Sequence, residues 1–154
     1  MRSDQLRQAA NDLLDENFIR LSLPLQGAER LSEVFDAAYS FFQGEKVEKE
    51  DDKLPEDLGY RPTGIEYSQS AEHPDHIESF SVSAGTPSAC ALSLSPSARM
   101  LHNRMMKAID VLEPIAEALV VGLAETVAGR SFADKLSGTT HRVALGKRFA
   151  GHAA

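Results

Sequence analysis

Apolar and polar residues follow one another in different rhythms along the chain. From Ser3 to Asp15, Leu6, Ala9, Ala10, Leu13 and Leu14 recur on one face at helical spacing, with Ser3 placed to cap the start. Phe18 to Leu23 reads F-I-R-L-S-L, apolar and polar in turn, which predicts a short strand closed by Pro24 and Gly27. The helical period returns from Ala28 to Phe42, through Leu31, Val34, Phe35, Ala38, Tyr39 and Phe42. Gly44 to Pro55 is dense in charge and nearly without core residues. It predicts a solvated connection holding at most a helical turn. Leu58 to Thr86 gathers Gly, Pro and polar residues and predicts irregular chain with one short strand near Glu78 to Val82.

The strongest helical pattern is Ser97 to Gly129, started by Pro96 or Ser95. Its broad apolar stripe includes Leu101, Met105, Ala108, Ile109, Leu112, Leu119, Leu123 and Val127. Pro114 lies inside it, removes one ladder hydrogen bond and predicts a kink. Ser131 to Leu136 reads as one further turn. Residues 138–154 hold three basic residues, two histidines and no acid, without clear period. The expected fold class is α/β, mostly helical. It comprises a short N-terminal strand, two helices, an irregular Gly/Pro loop region and one long Pro-kinked helix, with no complete jelly-roll. Residues 1–137 form the domain and residues 138–154 a tail or truncated element.

Length and charge narrow the function. A chain of 154 residues holds one domain with a real core. With 42% hydrophobic and 25% charged residues it is globular in composition. The net charge of -7 argues against nucleic acid and anionic membrane surfaces, both of which need Lys/Arg excess. Cys90 is the only cysteine, so no intrachain disulfide forms and a reduced, cytoplasmic setting fits. The polar stretch Met1 to Asn11 is not a secretory signal, and the apolar run around Ile115 to Leu123 is too short to span a bilayer. A soluble protein is expected.

The loop Leu58 to Tyr67 reads L-G-Y-R-P-T-G-I-E-Y. Gly59 and Gly64 permit tight turns around Pro62, and Tyr60, Arg61 and Tyr67 offer a stacking and hydrogen-bonding surface. Glu78 and Phe80 lie two residues apart on the expected strand. The alternative for the loop is a surface turn with a packed tyrosine.

Other candidates carry less. His73-Pro74-Asp75 with His141, and with Arg142 and Arg148 nearby, spells a facial metal triad. Metal ligands need a rigid sheet, and the long helix stands between these residues instead. His73 and His76 are spaced H-x-x-H, and two histidines alone make a poor metal site. The H-P-D string is shared with the J-domain signature, but Ser68 to Glu72 is not the basic helix that module needs. His102 falls on the polar side of the long helix and is expected to be exposed. His152 lies in the tail. Glu113 and Glu117 share one helix face, where a solvated surface is the simpler reading than acid–base work.

Several of these pieces occur in a familiar order. A helix ending in Phe41-Phe42 is followed by the charged E-K-V-E-K of Glu45 to Lys49. Then come L-G-Y-R-P-T-G-I-E-Y, and P-D-H-I-E-S-F at Pro74 to Phe80. A long helix finishes near Ala128-Gly129. Over roughly residues 16 to 137 this resembles the N-terminal region of the isopenicillin N synthase-like, non-haem Fe(II)/2-oxoglutarate-dependent oxygenases. The resemblance places the Gly/Pro loop beside the active-site mouth, making Tyr60 and Arg61 the substrate-contact candidates. It also places Pro74-Asp75 in the N-terminal motif, not in the metal motif.

In that family a His-x-Asp plus distant His triad binds Fe(II) on a jelly-roll, leaving positions open for the co-substrate. An Arg holds the distal carboxylate of 2-oxoglutarate. Both come after the matched region. The resemblance therefore implies a substrate-side portion of a small-molecule oxygenase, inactive alone, binding neither Fe(II) nor 2-oxoglutarate itself. A homodimer or a separate jelly-roll chain would cover the long helix. The alternative is a small helical interaction module without enzyme activity. A third reading is a miniature metal enzyme using His73, Asp75 and His141, which strands from residues 138–154 beside His73 would support.

Overall fold

The three helical periods become three long helices, and the strand near Glu78 acquires partners on both sides. The computed structural model describes residues 3–16, 18–56, 58–66, 72, 75–85, 88–128 and 147–151. The chain divides into two compact units. Met1–Ala28 with Ile109–Val143 make one, and Glu29–Ala108 with Ala144–Ala154 make the other.

The first unit holds α1 (Ser3–Glu16), the irregular segment 18–24, the first turn of α2 (Leu25–Phe42) and the C-terminal part of α4 (Pro96–Ala128). Ala9 and Ala10 are buried on α1. Helix α2 starts three residues before the expected Ala28. Pro24 precedes it, and Pro24 O accepts from Ala28 N at 3.1 Å as the first helical bond. Proline is tolerated at a helix start because the first N–H groups have no helical partner. Gly27 gives the helix a close approach to its neighbours: a Cβ there would sit 3.3 Å from Val111 Cγ1 and 3.5 Å from Leu23 Cβ.

The expected strand Phe18 to Leu23 does not form; residues 18–24 carry no regular structure. Alternation makes a segment able to extend, but a strand exists only when another backbone completes its ladder. None does so among the described residues, and Phe18 stays exposed.

The second unit is built on an antiparallel sheet of four strands in the order β1-β2-β3-β4: β1 (Lys53–Leu54), β2 (Leu58–Arg61), β3 (Glu78–Val82) and β4 (Lys147–Gly151). Tyr60 pairs with Phe80 and Phe80 with Phe149, so Phe80 occupies the centre of the sheet. Buried Val34, Ala37 and Phe41 mark the inner face of α2. Ala98, Leu101, Met105 and Ala108 do the same on the N-terminal part of α4. A 3-10 helix, Ser88–Ser93, precedes α4. Ser95 caps α4, its Oγ accepting from Ala98 N at 3.3 Å. The helix runs unbroken through Pro114.

Three expectations change here. The charged stretch Gly44 to Pro55 contains the four-residue helix α3 (Lys46–Lys49) and β1, and contributes buried Lys49, Asp52 and Leu54 to the core. The irregular region contains β2 as well as β3. His102 is not on an exposed face; it is only 3% exposed. Ser131 to Leu136, Gly129, His141, Arg142 and His152 lie outside the described residues. Among the described residues no helix is long and apolar enough to cross a membrane.

Candidate functional site

The most organised polar constellation lies in the second unit, around Lys49. Four elements build it: the C-terminus of α2 supplies Phe41 and Phe42, α3 ends on Lys49, and β2 and β3 bring Tyr60, Glu78 and Phe80. Lys49 is only 4% exposed. Its ammonium donates to Glu78 Oε2 at 3.1 Å and to Phe42 O at 3.2 Å. It also lies 5.8 Å from the centroids of Phe41 and Phe42 and 5.4 Å from that of Tyr60. Phe41 meets Phe42, Tyr60 and Phe80 edge-on, at 5.2, 5.8 and 5.2 Å. A buried cation needs such a set of partners: one counter-charge, a carbonyl, and ring faces carrying negative potential.

Tyr60 is 1% exposed and donates its hydroxyl to Glu78 Oε1 at 2.7 Å. Burial first, then the hydrogen bond and the charge of Glu78 with that of Glu50, pushes the phenol well above its ordinary range. Burial also acts to raise Glu78, but hydrogen bonds from Tyr60 and Lys49 and the charges of Lys49 and Lys46 outweigh it. Glu78 therefore ends below the ordinary carboxylate range. The trio rests as phenol, carboxylate and ammonium, each satisfied by the others. Such a closed set holds a fold together; it presents no free base or nucleophile.

A second carboxylate serves the loop between β2 and β3. Arg61 Nε lies 3.4 Å from Glu66 Oε1, which also accepts from Ser79 Oγ. Backbone bonds from Asp75 N to Glu66 O (2.7 Å) and from Gly64 N to Asp75 O (3.3 Å) tie the loop across itself. Asp52 joins the charged stretch to α4. Its carboxylate accepts from Ser95 N at 2.6 Å and Ser95 Oγ at 2.8 Å.

The two substrate-contact candidates therefore sit differently. Tyr60 points into the core with its hydroxyl engaged, whereas Arg61 keeps part of its side chain at the surface beside Glu66. Of the metal-triad candidates, Asp75 is half-buried on the loop, and His73 and His141 lie outside the described residues. Residues 147–151 do form a strand, against Glu78–Val82. Among the described residues no three His, Cys, Asp or Glu side chains come together as a metal would require. His76 is exposed.

Lys49, Asp52 and His102 were not legible as interior residues. Lys49 closes the E-K-V-E-K string of Glu45 to Lys49, and the acids that follow it at 50–52 make the whole run look solvated. His102 Nδ1 lies 3.3 Å from Asn103 Oδ1, and Nε2 has no partner among the described residues. No family model, curated protein or solved structure matches this chain.

Proposed function

We propose that this chain is the N-terminal, substrate-side portion of an isopenicillin N synthase-like oxygenase and does not oxidise a substrate alone. The observation that carries the reading is convergence. The paired phenylalanines, Lys49 of the charged segment, Tyr60 of the Gly/Pro loop, and Glu78 and Phe80 of the final motif lie apart in sequence and meet in one cluster. Motif pieces that resemble a family in order also pack on one another, as parts of one inherited substructure would. In the complete enzyme, Fe(II) and 2-oxoglutarate would be held by a jelly-roll, and a small molecule would be oxidised beside Arg61. The described residues offer no cluster fit to hold the metal, so no chemical step is assigned to them. The single cysteine, Cys90, supports a cytoplasmic setting.

A second reading, a helical interaction module, is favoured by the C-terminal part of α4. From Asp110 to Val127 it is rich in Val, Leu, Ile and Ala, yet none of these residues is fully buried. The same face would receive a jelly-roll chain or a second copy.

Anaerobic calorimetric titration with Fe(II), with and without 2-oxoglutarate, tests the first reading. No stoichiometric binding is expected. Tight binding near one ion per chain, strengthened by 2-oxoglutarate, would overturn it and make His73, Asp75 and His141 the residues to mutate. Sedimentation separates the two readings: a well-behaved monomer with a cooperative melt supports the module, and self-association supports the oxygenase portion.

A further inference from the structure

The N-terminal part of α4 presents two unlike faces. Ala98, Leu101, Met105 and Ala108 point into the core of the second unit, and this fixes the opposite face outward. There Pro96, Arg99, Met100, Asn103, Arg104 and Lys107 line a shallow cavity of about 430 Å³. Three of the six lining residues are cations and none is acidic, in a chain whose net charge is -7. Arg99 is already anchored, one guanidinium nitrogen donating to the carbonyls of Leu92 and Leu94 at 2.8 and 2.9 Å, and its buried Nε has no partner among the described residues. Arg104 spends one nitrogen on Glu33 at 2.7 Å. Lys107 and Asn103 are exposed, and so is Met100.

From this we infer that the face is a docking site for an acidic peptide segment of another protein. Arg99 and Lys107 are two turns apart, about 12 Å along the helix, so a single phosphate or carboxylate cannot touch both. An extended peptide covers that length with about four residues, presenting carboxylates at intervals that meet successive cations. The Asn103 amide, midway, offers both a donor and an acceptor to a peptide backbone. Met100 gives an adaptable apolar contact between the charges. Nucleic acid fits less well, because three cations on an otherwise acidic chain give little counterion release. The inference rests on the second unit alone and does not depend on the oxygenase reading.

Fluorescence anisotropy on the full chain tests it, with a labelled peptide of alternating Glu and Leu and its Gln counterpart as probes. The Glu peptide is expected to bind saturably and to weaken at about 0.3 M salt, and the Gln peptide not to bind. Lys107→Glu, at an exposed position, should weaken binding about fivefold or more without moving the thermal melt. Lys53→Glu, at the exposed position of β1, should leave it unchanged. Equal binding of both peptides, or an unaltered affinity in Lys107→Glu, would overturn the inference. So would displacement by citrate at matched charge, or tighter binding of a single-stranded oligonucleotide.

Discussion

Replacing Glu78 with Gln tests whether the Lys49 cluster holds the second unit together. The substitution keeps the shape and one acceptor but removes the counter-charge of an ammonium that is 4% exposed. At 3.1 Å the Coulomb attraction is about 5 kcal/mol at an effective dielectric near 20. Part of that is already screened, because 23% of the Glu78 side chain faces solvent. The Lys49 ammonium donating to the Gln oxygen returns about 1.5 kcal/mol. The Phe42 carbonyl and the flanking rings remain in both proteins and cancel. The net loss is about 2–3 kcal/mol, a large share of the stability of a domain of this size. Urea unfolding followed by circular dichroism reads it as a midpoint shift of about 1–2 M. Lys49→Met should lose less, because Glu78 would be left partly in water and still bonded to Tyr60. The double variant should recover at least about 1 kcal/mol relative to the sum of the singles. A Glu78→Gln midpoint indistinguishable from the parent, or strictly additive singles, would refute the claim that Lys49 depends on Glu78.

The pH profile should be two-sided. Glu78 is held below its ordinary carboxylate value of 4.5 in the fold, so its stabilisation is full above that value and is lost as pH falls through the lower folded value. Tyr60 is raised above its ordinary value of 10.0, so its contribution is full below that pH and is lost as pH rises beyond it; melting temperature against pH should fall at both ends, and Glu78→Gln should flatten the acid limb. Asp52→Ala removes both bonds to Ser95 at the start of α4 and should lower stability by about 1–3 kcal/mol in chemical denaturation. Gly59 and Gly64 both have positive φ, +82° and +89°, but only Gly59 is crowded: a Cβ there would lie 2.5 Å from Asp52 O, against nothing within 4 Å at Gly64. Gly64→Ala should therefore cost about 1 kcal/mol of stability through added backbone strain, while Gly59→Ala should be more severe; equal melting temperatures for the two variants would contradict this.

What could be read from the sequence was local. The helices and β3 followed from period, because a helix or strand repeats its burial within a few residues. The interior polar residues did not. Lys49 finds Glu78 29 positions away and Asp52 finds Ser95 43 positions away, so a charged run that looks solvated becomes core only when those partners arrive. His102 was misplaced for a related reason: the apolar stripe of α4 is broad, and its margin is settled by what packs there. Segment 18–24 shows the converse, since its alternation is real but a strand also needs a neighbour. β2 was hidden because Gly59, which its tight approach to Asp52 requires, interrupts any alternating pattern.

The Lys49 cluster also separates two questions that a motif tends to merge. Six of the residues carrying the family resemblance contact one another in this cluster. Phe42 gives a carbonyl to Lys49, Glu78 gives it a charge, Tyr60 bonds to the other oxygen of that carboxylate, and Phe41 sits against Tyr60 and Phe80. A chain can keep all of these for packing alone and hold no metal. The proposed kinship would therefore concern a way of folding, and the oxidation chemistry has to be argued from other residues. Absence of Fe(II) binding would leave the proposed ancestry standing, because nothing in the cluster ligates iron. Loss of coupling between Lys49 and Glu78 would weaken that ancestry even if iron bound, because the convergence that supports it would then be coincidental contact without energetic consequence.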